Sequence, residues 1–329
     1  MACRMLESFD TFTTVSERWT NAAGAVSAPA ARTGIQGLRN IPGFSASGGC
    51  RKTFDAQGTW IIGRAYRTTV LGGFAIMGTI DGATVQGDVL PNANGTISLR
   101  IGGAVVATSI LSMLINVYYY MELKHIIANA GGTIELRVNG AVWVTFTGDT
   151  QATANATADQ VGLGGDVGTN DTDDVYIFDG TGAVNNDYAG IRQVAVGLPT
   201  GVGNSAQWTP SAGANWQNVD EVPPDEDTTY NSSGTAGQKD THAFTFTGMP
   251  AAADVAAVQI GLRLRDESAG VSQLHRIYRH TATENNGAEI DPDVTYQTVL
   301  EPLNVDPITT AQFTRANVLA AEYGYGKTS

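Results

Sequence analysis

The sequence predicts an all-β protein of two modules. The chain has 329 residues, of which 42% are hydrophobic and 39 are glycine. That length is typical of about two domains, and short apolar segments separated by turn residues are typical of strands in sandwiches. We expect a jelly-roll β-sandwich over residues 1–198 and a linker over 199–218. A smaller β-sandwich with a short C-terminal helix is expected over 219–329.

The charge balance argues against two classes of partner. The net charge is −13, whereas nucleic-acid binding requires clustered Lys and Arg. We therefore expect no nucleic-acid partner and no anionic membrane surface. The N-terminal residues contain no apolar signal segment, and the longest apolar run, 105–115, is too short for a bilayer. Cys3 and Cys50 are expected to be free thiols, because two cysteines in this length do not make a disulfide framework.

The clearest strand signal is a hairpin over residues 132–146. Apolar and polar residues alternate before Asn139-Gly140, and this dipeptide favours a type I′ turn because both positions tolerate positive φ. The register that follows from this turn places Leu136 opposite Trp143.

The second module has its own strand and helix signals. Apolar residues alternate with polar and basic ones over 258–265, which predicts a half-buried strand with a basic outer face. We expect that strand to pair with 271–281 across a turn at 266–270. A helix is predicted from Arg315 to Tyr323, with Thr314 as its N-cap and Gly324 ending it.

Motifs of the first module resemble a known group of folds. They are Glu7-Ser-Phe-Asp10, Arg32-Thr-Gly, Tyr120-Met-Glu-Leu-Lys124, the hairpin and Asp173-Asp-Val-Tyr-Ile-Phe-Asp179. Their order resembles that of laminin-G and concanavalin-like jelly rolls. The resemblance implies a lectin-like sandwich over most of the first 198 residues.

Two segments of the second module resemble tailed-bacteriophage virion proteins. They run from Asn215 to Tyr230 and from Asn304 to Val318. The resemblance implies a structural component of tail, fibre, collar or capsid surface that is assembled in the host cytoplasm and contacts other virion proteins. A homo-oligomer is expected, since such assemblies are symmetric. The alternative is a receptor-binding module of a tail fibre that holds host surface glycan, with or without calcium.

The carboxylates do not form the pairs that glycoside hydrolases require. Those enzymes use two carboxyl groups on one face of the site. Glu135 has no acidic residue two or four positions away, and Asp173 and Asp179 are separated by roughly 20 Å along a strand. The sequence therefore predicts a protein that is not an enzyme and has no organic cofactor.

One cluster of acids is a candidate calcium site. It consists of Asp166, Asp171, Asp173 and Asp174, and laminin-G-like folds often carry calcium at the corresponding rim. The cluster lacks the Gly and Glu that an EF-hand loop requires. The alternative is a solvated acidic loop.

Two further segments are candidate partner-binding sites. Aromatic residues are enriched in interface cores, which favours Tyr118, Tyr119 and Tyr120, although strand packing is the alternative for them. The acidic residues of the second segment would dock against a basic neighbour, or else belong to an exposed linker that prolines stiffen. These acids are Asp220, Glu221, Asp225, Glu226 and Asp227.

Overall fold

The computed structural model describes residues 2–267 and 272–329, which form two compact units, 1–194 and 195–329. The unit boundary corrects the predicted one at 198.

The predicted linker is also wrong, because Val196–Ala206 is a strand that pairs within the second unit. Pro199 had suggested a break, but it lies next to a register shift in that strand. Proline is tolerated at such irregularities because a ladder hydrogen bond is already missing.

The first unit is a sandwich of two antiparallel sheets, as predicted for a jelly roll. One sheet has eight strands in the order β12-β11-β10-β5-β14-β3-β2, with β1 on β14, and the other has the order β4-β13-β6-β7-β8-β9. In chain order the strands are β1 (Cys3–Glu7), β2 (Ala25–Ser27), β3 (Gly37–Arg39), β4 (Cys50–Gln57), β5 (Thr59–Thr68), β6 (Met77–Asp81), β7 (Thr84–Pro91), β8 (Thr96–Ile101), β9 (Ala104–Ser112), β10 (Tyr119–Ile126), β11 (Gly132–Val138), β12 (Ala141–Gly148), β13 (Ala158–Leu163) and β14 (Asn170–Asp179).

The core of the first unit lies between its sheets. Trp60 of β5 donates from Nε1 to the carbonyl of Ala158, 2.9 Å away. His125 of β10 places Nδ1 2.9 Å from the hydroxyl of Thr79, and burial lowers the pKa of His125 to about 4. Both contacts cross from the eight-stranded to the six-stranded sheet. They identify the inner face of the eight-stranded sheet, so the alternate side chains of its strands lie on its outer face.

The predicted hairpin is present, with a different register. Asn139 and Gly140 have φ of 51° and 82°, as the type I′ turn requires. Leu136, however, pairs with Val144 instead of Trp143. A bulge adds one residue to β12 at this point, which the alternation of the sequence did not reveal.

The second unit is a smaller β domain, as predicted. Its five-stranded sheet has the order β15-β18-β23-β20-β21, while β16 pairs with β17 and β19 with β22. Its elements are β15 (Val196–Ala206), β16 (Thr209–Pro210), β17 (Asn231–Ser232), β18 (Lys239–Thr247), β19 (Val258–Leu264), β20 (Leu274–His280), β21 (Thr283–Asn286), β22 (Gln297–Leu303), α1 (Arg315–Ala320) and β23 (Glu322–Lys327).

Two predictions for the second unit are corrected. The strand β19 pairs with β22 and not with β20. Residues 268–271, which include part of the predicted turn 266–270 and the first residue of the predicted strand 271–281, lie outside the described residues. Thr314 caps the helix as predicted, but the helix ends at Ala320. The chain then forms β23, which lies between β18 and β20. Gly324 lies within this strand and does not end the helix. The position requires glycine, because a Cβ there would lie 1.9 Å from the carbonyl oxygen of Asp240.

Two buried aspartates hold the loops of the second unit. Asp240 accepts hydrogen bonds from the backbone amide of Gln207 at 2.7 Å and from the side chain of Asn215 at 2.6 Å. Asp306 accepts from the amide of Ile308 at 2.9 Å and the side chain of Asn317 at 3.0 Å. These contacts fix parts of two segments, 215–230 and 304–318.

Cys3 and Cys50 form no disulfide, as predicted; both are buried, and burial raises the pKa of both thiols. Among the described residues, no helix has the length and apolar character needed to cross a membrane.

Candidate functional site

The first unit has a polar sheet face that two of its own segments cover. We call it the covered face: the outer face of the eight-stranded sheet at Glu122, Asp171, Asp173, Asp174 and Tyr176. All five residues are at most 2% exposed. The segments that lie on it are residues 28–36 and 185–194.

Asp171 binds two arginines that in turn contact the first of these segments. Its carboxylate accepts from Nε of Arg39 at 2.7 Å and from Nε of Arg67 at 3.0 Å. Both arginines also donate to the carbonyl of Pro29 at 3.1 Å. The carboxylate therefore has two cationic partners and is not free to bind a cation.

A bulge in β14 brings two successive carboxylates to the same segment. Asp174 has a φ of 52° at a register shift, a conformation that Asp tolerates better than most residues. Asp173 accepts from the backbone amides of Arg32 and Thr33 at 2.7 and 3.0 Å. Asp174 accepts from the Arg32 guanidinium at 2.6 Å and from the amide of Val194 at 2.8 Å. The pair thus fastens both covering segments.

This arrangement changes the acidity of Asp173. Burial, together with the neighbouring charge of Asp174, raises the pKa of Asp173, although backbone amides oppose the shift. A raised pKa favours the protonated form of this carboxyl, and a protonated carboxyl is a poor metal ligand.

Glu122 and Tyr176 form the centre of the covered face. The Tyr176 hydroxyl donates to Oε1 of Glu122 at 2.5 Å, and the amide of Gly190 donates to the same oxygen at 2.7 Å. The other oxygen, Oε2, is buried and has no hydrogen-bond partner among the described residues. Burial raises the pKa of Tyr176 well above its usual range, with the charge of Glu122 adding to the effect. Tyr176 therefore stays a hydrogen-bond donor here.

Charged residues at the edge of the covered face hold the second segment. Lys124 donates to Asp187 at 2.9 Å, and the Arg137 guanidinium lies 3.8 Å from the centre of the Tyr188 ring. The Tyr188 hydroxyl donates to the carbonyl of Glu135 at 3.2 Å. The covered face therefore binds this chain's own backbone and side chains, and it is closed to outside ligands in this conformation.

The predicted calcium ligands do not form a ligand set. Asp166 lies apart from the covered face and accepts from the amides of Gly72, Gly73 and Phe74 at 2.7 to 2.9 Å. The other three predicted ligands bind arginines and amides, as described above. No group of three or more His, Cys, Asp or Glu in the described parts of the chain is placed to hold a metal ion.

The three tyrosines contact their own unit. The Tyr118 hydroxyl donates to the carbonyl of Ala30 at 2.6 Å, and the Tyr120 hydroxyl donates to the carbonyl of Asp174 at 3.1 Å. The Tyr119 ring packs edge-on against Trp143. All three side chains thus pack within their own unit, which was the alternative expected for them.

The acidic segment of the second unit contacts basic residues of that same unit. Glu226 accepts from Nε of Arg263 at 3.1 Å, and Asp227 lies 2.8 Å from the guanidinium of Arg265. Asp225 and Glu221 instead lie 2.8 to 2.9 Å from the hydroxyl of Thr229, which donates to one of them at a time. Asp220 is half-buried. The residues thus belong to the folded unit and not to a linker.

One surface of the first unit remains exposed and apolar. It consists of the last strand of the six-stranded sheet, β9, the loop 113–117 that follows it, and Val142 of β12, which lies beside β9. We call it the apolar edge. Seven of its apolar side chains are 40% to 94% exposed: Val105, Ile110, Leu111, Leu114, Ile115, Val117 and Val142.

The apolar edge carries no charge over a long stretch. Residues 101–117 contain no Asp, Glu, Lys or Arg. A contiguous exposed apolar patch marks an interaction surface more often than hydrophobic residues that are exposed singly. Sequence reasoning noted the run 105–115 only as too short for a membrane. The absence of charge in a predicted strand was the signal that could have identified the surface.

No family model matches this chain, and no curated protein does. Several solved structures resemble it over about half of its length. A glucuronan lyase from the fungus Trichoderma reesei shares 14% identity over 51% of this chain and 93% of its own, with a TM-score of 0.38. The alginate lyase Aly36B shares 11% over 53% and 95%, with a TM-score of 0.37. A galectin from Caenorhabditis elegans shares 15% over 44% and 90%, with a TM-score of 0.27.

The prediction that the chain is not an enzyme is corrected, because polysaccharide lyases stand among the similar structures. That prediction had tested only for the carboxylate pairs of glycoside hydrolases. Tyr, His and Lys also act as general acids and bases, so the missing pairs do not exclude an enzyme. Similarity at this level assigns no reaction to this chain.

Proposed function

We propose that this protein is a structural component of a tailed-phage virion and that it acts through contacts with other virion proteins. The observation that carries the proposal is the apolar edge. A monomeric soluble protein rarely leaves such a surface bare, and a free edge strand is a template for pairing with another chain. A protein that is built into an assembly covers that surface.

The sequence resemblance of the second unit supports the same role. Its two segments, 215–230 and 304–318, contain the side chains that bind the buried carboxylates of Asp240 and Asp306. They are therefore framework residues on which the fold of this unit depends. The buried thiols of Cys3 and Cys50, which form no disulfide, fit assembly in a reducing cytoplasm.

The test is to locate the protein in particles that are purified from cells expressing it from its native genome. We expect mass spectrometry to find it at a fixed copy number, and a reconstruction to place it on the capsid, collar, tail or fibre. Its absence from purified particles would overturn the proposal.

Two variants connect the test to the apolar edge. Ile110→Lys places a charge on the edge, and we expect it to reduce incorporation at least tenfold. Val294→Lys is the matched control, since Val294 is 69% exposed in the second unit, and we expect normal incorporation. Equal incorporation of both variants would contradict the role of the edge. Binding of the isolated protein to a glycan array, together with normal incorporation of Ile110→Lys into particles, would instead favour the receptor-binding alternative.

A further inference from the structure

We propose that the apolar edge pairs with the apolar edge of a second copy of this chain. The two β9 strands would lie antiparallel about a two-fold axis and join the two six-stranded sheets into one. The inference rests on the proposed function in that it names the first partner of the same surface. It can nevertheless be tested apart from any virion.

The backbone of β9 is the first support. This strand hydrogen-bonds to β8 on one side and is the last strand of its sheet. On its other side no described strand hydrogen-bonds to it, although β12 of the other sheet lies close. The N–H and C=O groups there match those of another strand. Antiparallel pairing needs no connection between the chains and satisfies these groups in both copies at once.

The distribution of charge favours a second copy over a different protein. The chain has a net charge of −13, yet residues 101–117 contain no charged side chain. Two copies repel each other through their like charges, and a neutral stretch is where they approach with the least repulsion. A partner selected by opposite charge would contact charged residues, and this edge offers none.

The size of the surface fits a stable dimer. The seven exposed side chains offer on the order of 700 Å² per copy, which is close to the roughly 800 Å² that each partner buries in a standard interface. Val105 and Ile110 lie on either side of Thr108, the middle residue of β9. A two-fold axis near Thr108 therefore brings the Val105 end of one strand beside the Ile110 end of the other.

Closed symmetry also explains how the edge avoids unlimited aggregation. In an isologous dimer the same surface is used by both copies, and no equivalent edge is left for a third.

The first experiment is sedimentation equilibrium of the full chain from 1 to 100 µM. We expect a species of twice the mass of one chain to dominate at the upper concentration. Ile110→Lys should weaken the dimer at least tenfold, because it places two like charges in a neutral interface, while Val294→Lys should leave it unchanged. A chain that is monomeric throughout overturns the inference, and so does a dimer that Ile110→Lys does not weaken.

The second experiment determines the position of the two-fold axis of the dimer. In a two-fold pairing centred near Thr108, that residue meets itself, so Thr108→Cys should form an intermolecular disulfide under mild oxidation. The native cysteines are both buried, and Val294→Cys serves as the exposed control that should cross-link little. Equal cross-linking of both variants overturns the pairing. A dimer that is absent from virions overturns only the proposed function, whereas a virion protein that is monomeric in solution overturns only this inference.

Discussion

The covered face and the apolar edge belong to the same sandwich, and they reverse the usual distribution of residues. The covered face gathers carboxylates, tyrosines and arginines, with Glu122 and Asp173 at most 1% exposed. The apolar edge exposes Ile110 at 94%, and residues 101–117 contain no charged side chain. Buried polar residues require partners, while an exposed aliphatic side chain requires only something to cover it. The comparison indicates that the polar residues hold the fold and that the apolar ones meet other molecules.

The difference can be measured as stability, because only one of the two surfaces contributes to the monomer. Removing one member of a buried ion pair leaves an uncompensated charge, which costs several kcal/mol. Substituting an exposed side chain usually changes the free energy of unfolding by less than about 0.5 kcal/mol. The covered face should therefore respond strongly to substitution, and the apolar edge weakly.

The largest effect is expected for Asp171→Ala. It removes the shared partner of Arg39 and Arg67, whose side chains are 25% and 30% exposed, and solvent screens part of the loss. We expect the free energy of unfolding to fall by about 2–3 kcal/mol, measured by urea denaturation. Asp55→Ala is the control, because Asp55 pairs with Arg4 but its side chain is 64% exposed. A similar loss in both variants would contradict the comparison.

Tyr176→Phe should have the next largest effect. It removes the hydroxyl that donates to Glu122 at 2.5 Å and leaves Oε1 with only the amide of Gly190. A hydrogen bond to a charged group contributes about 1.5–3 kcal/mol, and we expect a loss near 2 kcal/mol by urea denaturation. The matched control is Tyr230→Phe at a residue 39% exposed. Unchanged stability in Tyr176→Phe would mean that the covered face does not depend on this contact.

The sequence predicted much of the sandwich and little of the covered face. Alternation and the Asn139-Gly140 turn predicted the hairpin, since both depend on neighbouring residues. The partners of Asp173 are the amides of Arg32 and Thr33, which lie 141 and 140 positions away, and spacing along the chain cannot reveal such contacts. The acids were therefore identified as candidate ligands without the groups that bind them.

The apolar edge was hidden for a different reason. An apolar run of strand length is typical of both a buried central strand and an exposed edge strand, and only the pairing order separates them. The bulge opposite Leu136 was hidden likewise, because an added residue leaves the composition of β12 unchanged. Contacts between strands thus determined both the exposure of the apolar edge and the register of the hairpin.

A smaller effect is expected from the acidity of Asp173. Burial and the charge of Asp174 raise its folded pKa above the unfolded value near 4, so the folded state holds a proton that the unfolded state releases. Stability from this group is complete below about pH 4 and decreases as the pH rises through the raised pKa. Asp173→Asn has no titrating carboxyl and therefore avoids this loss. We expect the free energy of unfolding of the variant, minus that of the natural chain, to increase by at least about 1.4 kcal/mol between pH 4 and pH 9, which corresponds to a pKa difference of one.

The measurement is urea denaturation of both proteins at several pH values. The control is Asp55→Asn, because Asp55 is exposed and lies away from the covered face. Parallel pH profiles for the natural chain and Asp173→Asn would refute a raised pKa at this carboxyl.

The smallest effect on the monomer is expected at the apolar edge. Ile110→Ala removes a side chain that is 94% exposed, so it should change the free energy of unfolding by less than about 0.5 kcal/mol at submicromolar protein. At high concentration the natural chain should gain apparent stability from dimer formation, and the variant should gain less, because binding of a second copy stabilises the folded state by mass action. Thermal denaturation over a hundredfold range of concentration measures both. A large loss at low concentration would show that Ile110 stabilises the monomer, and the two surfaces would then not differ in the way that their burial indicates.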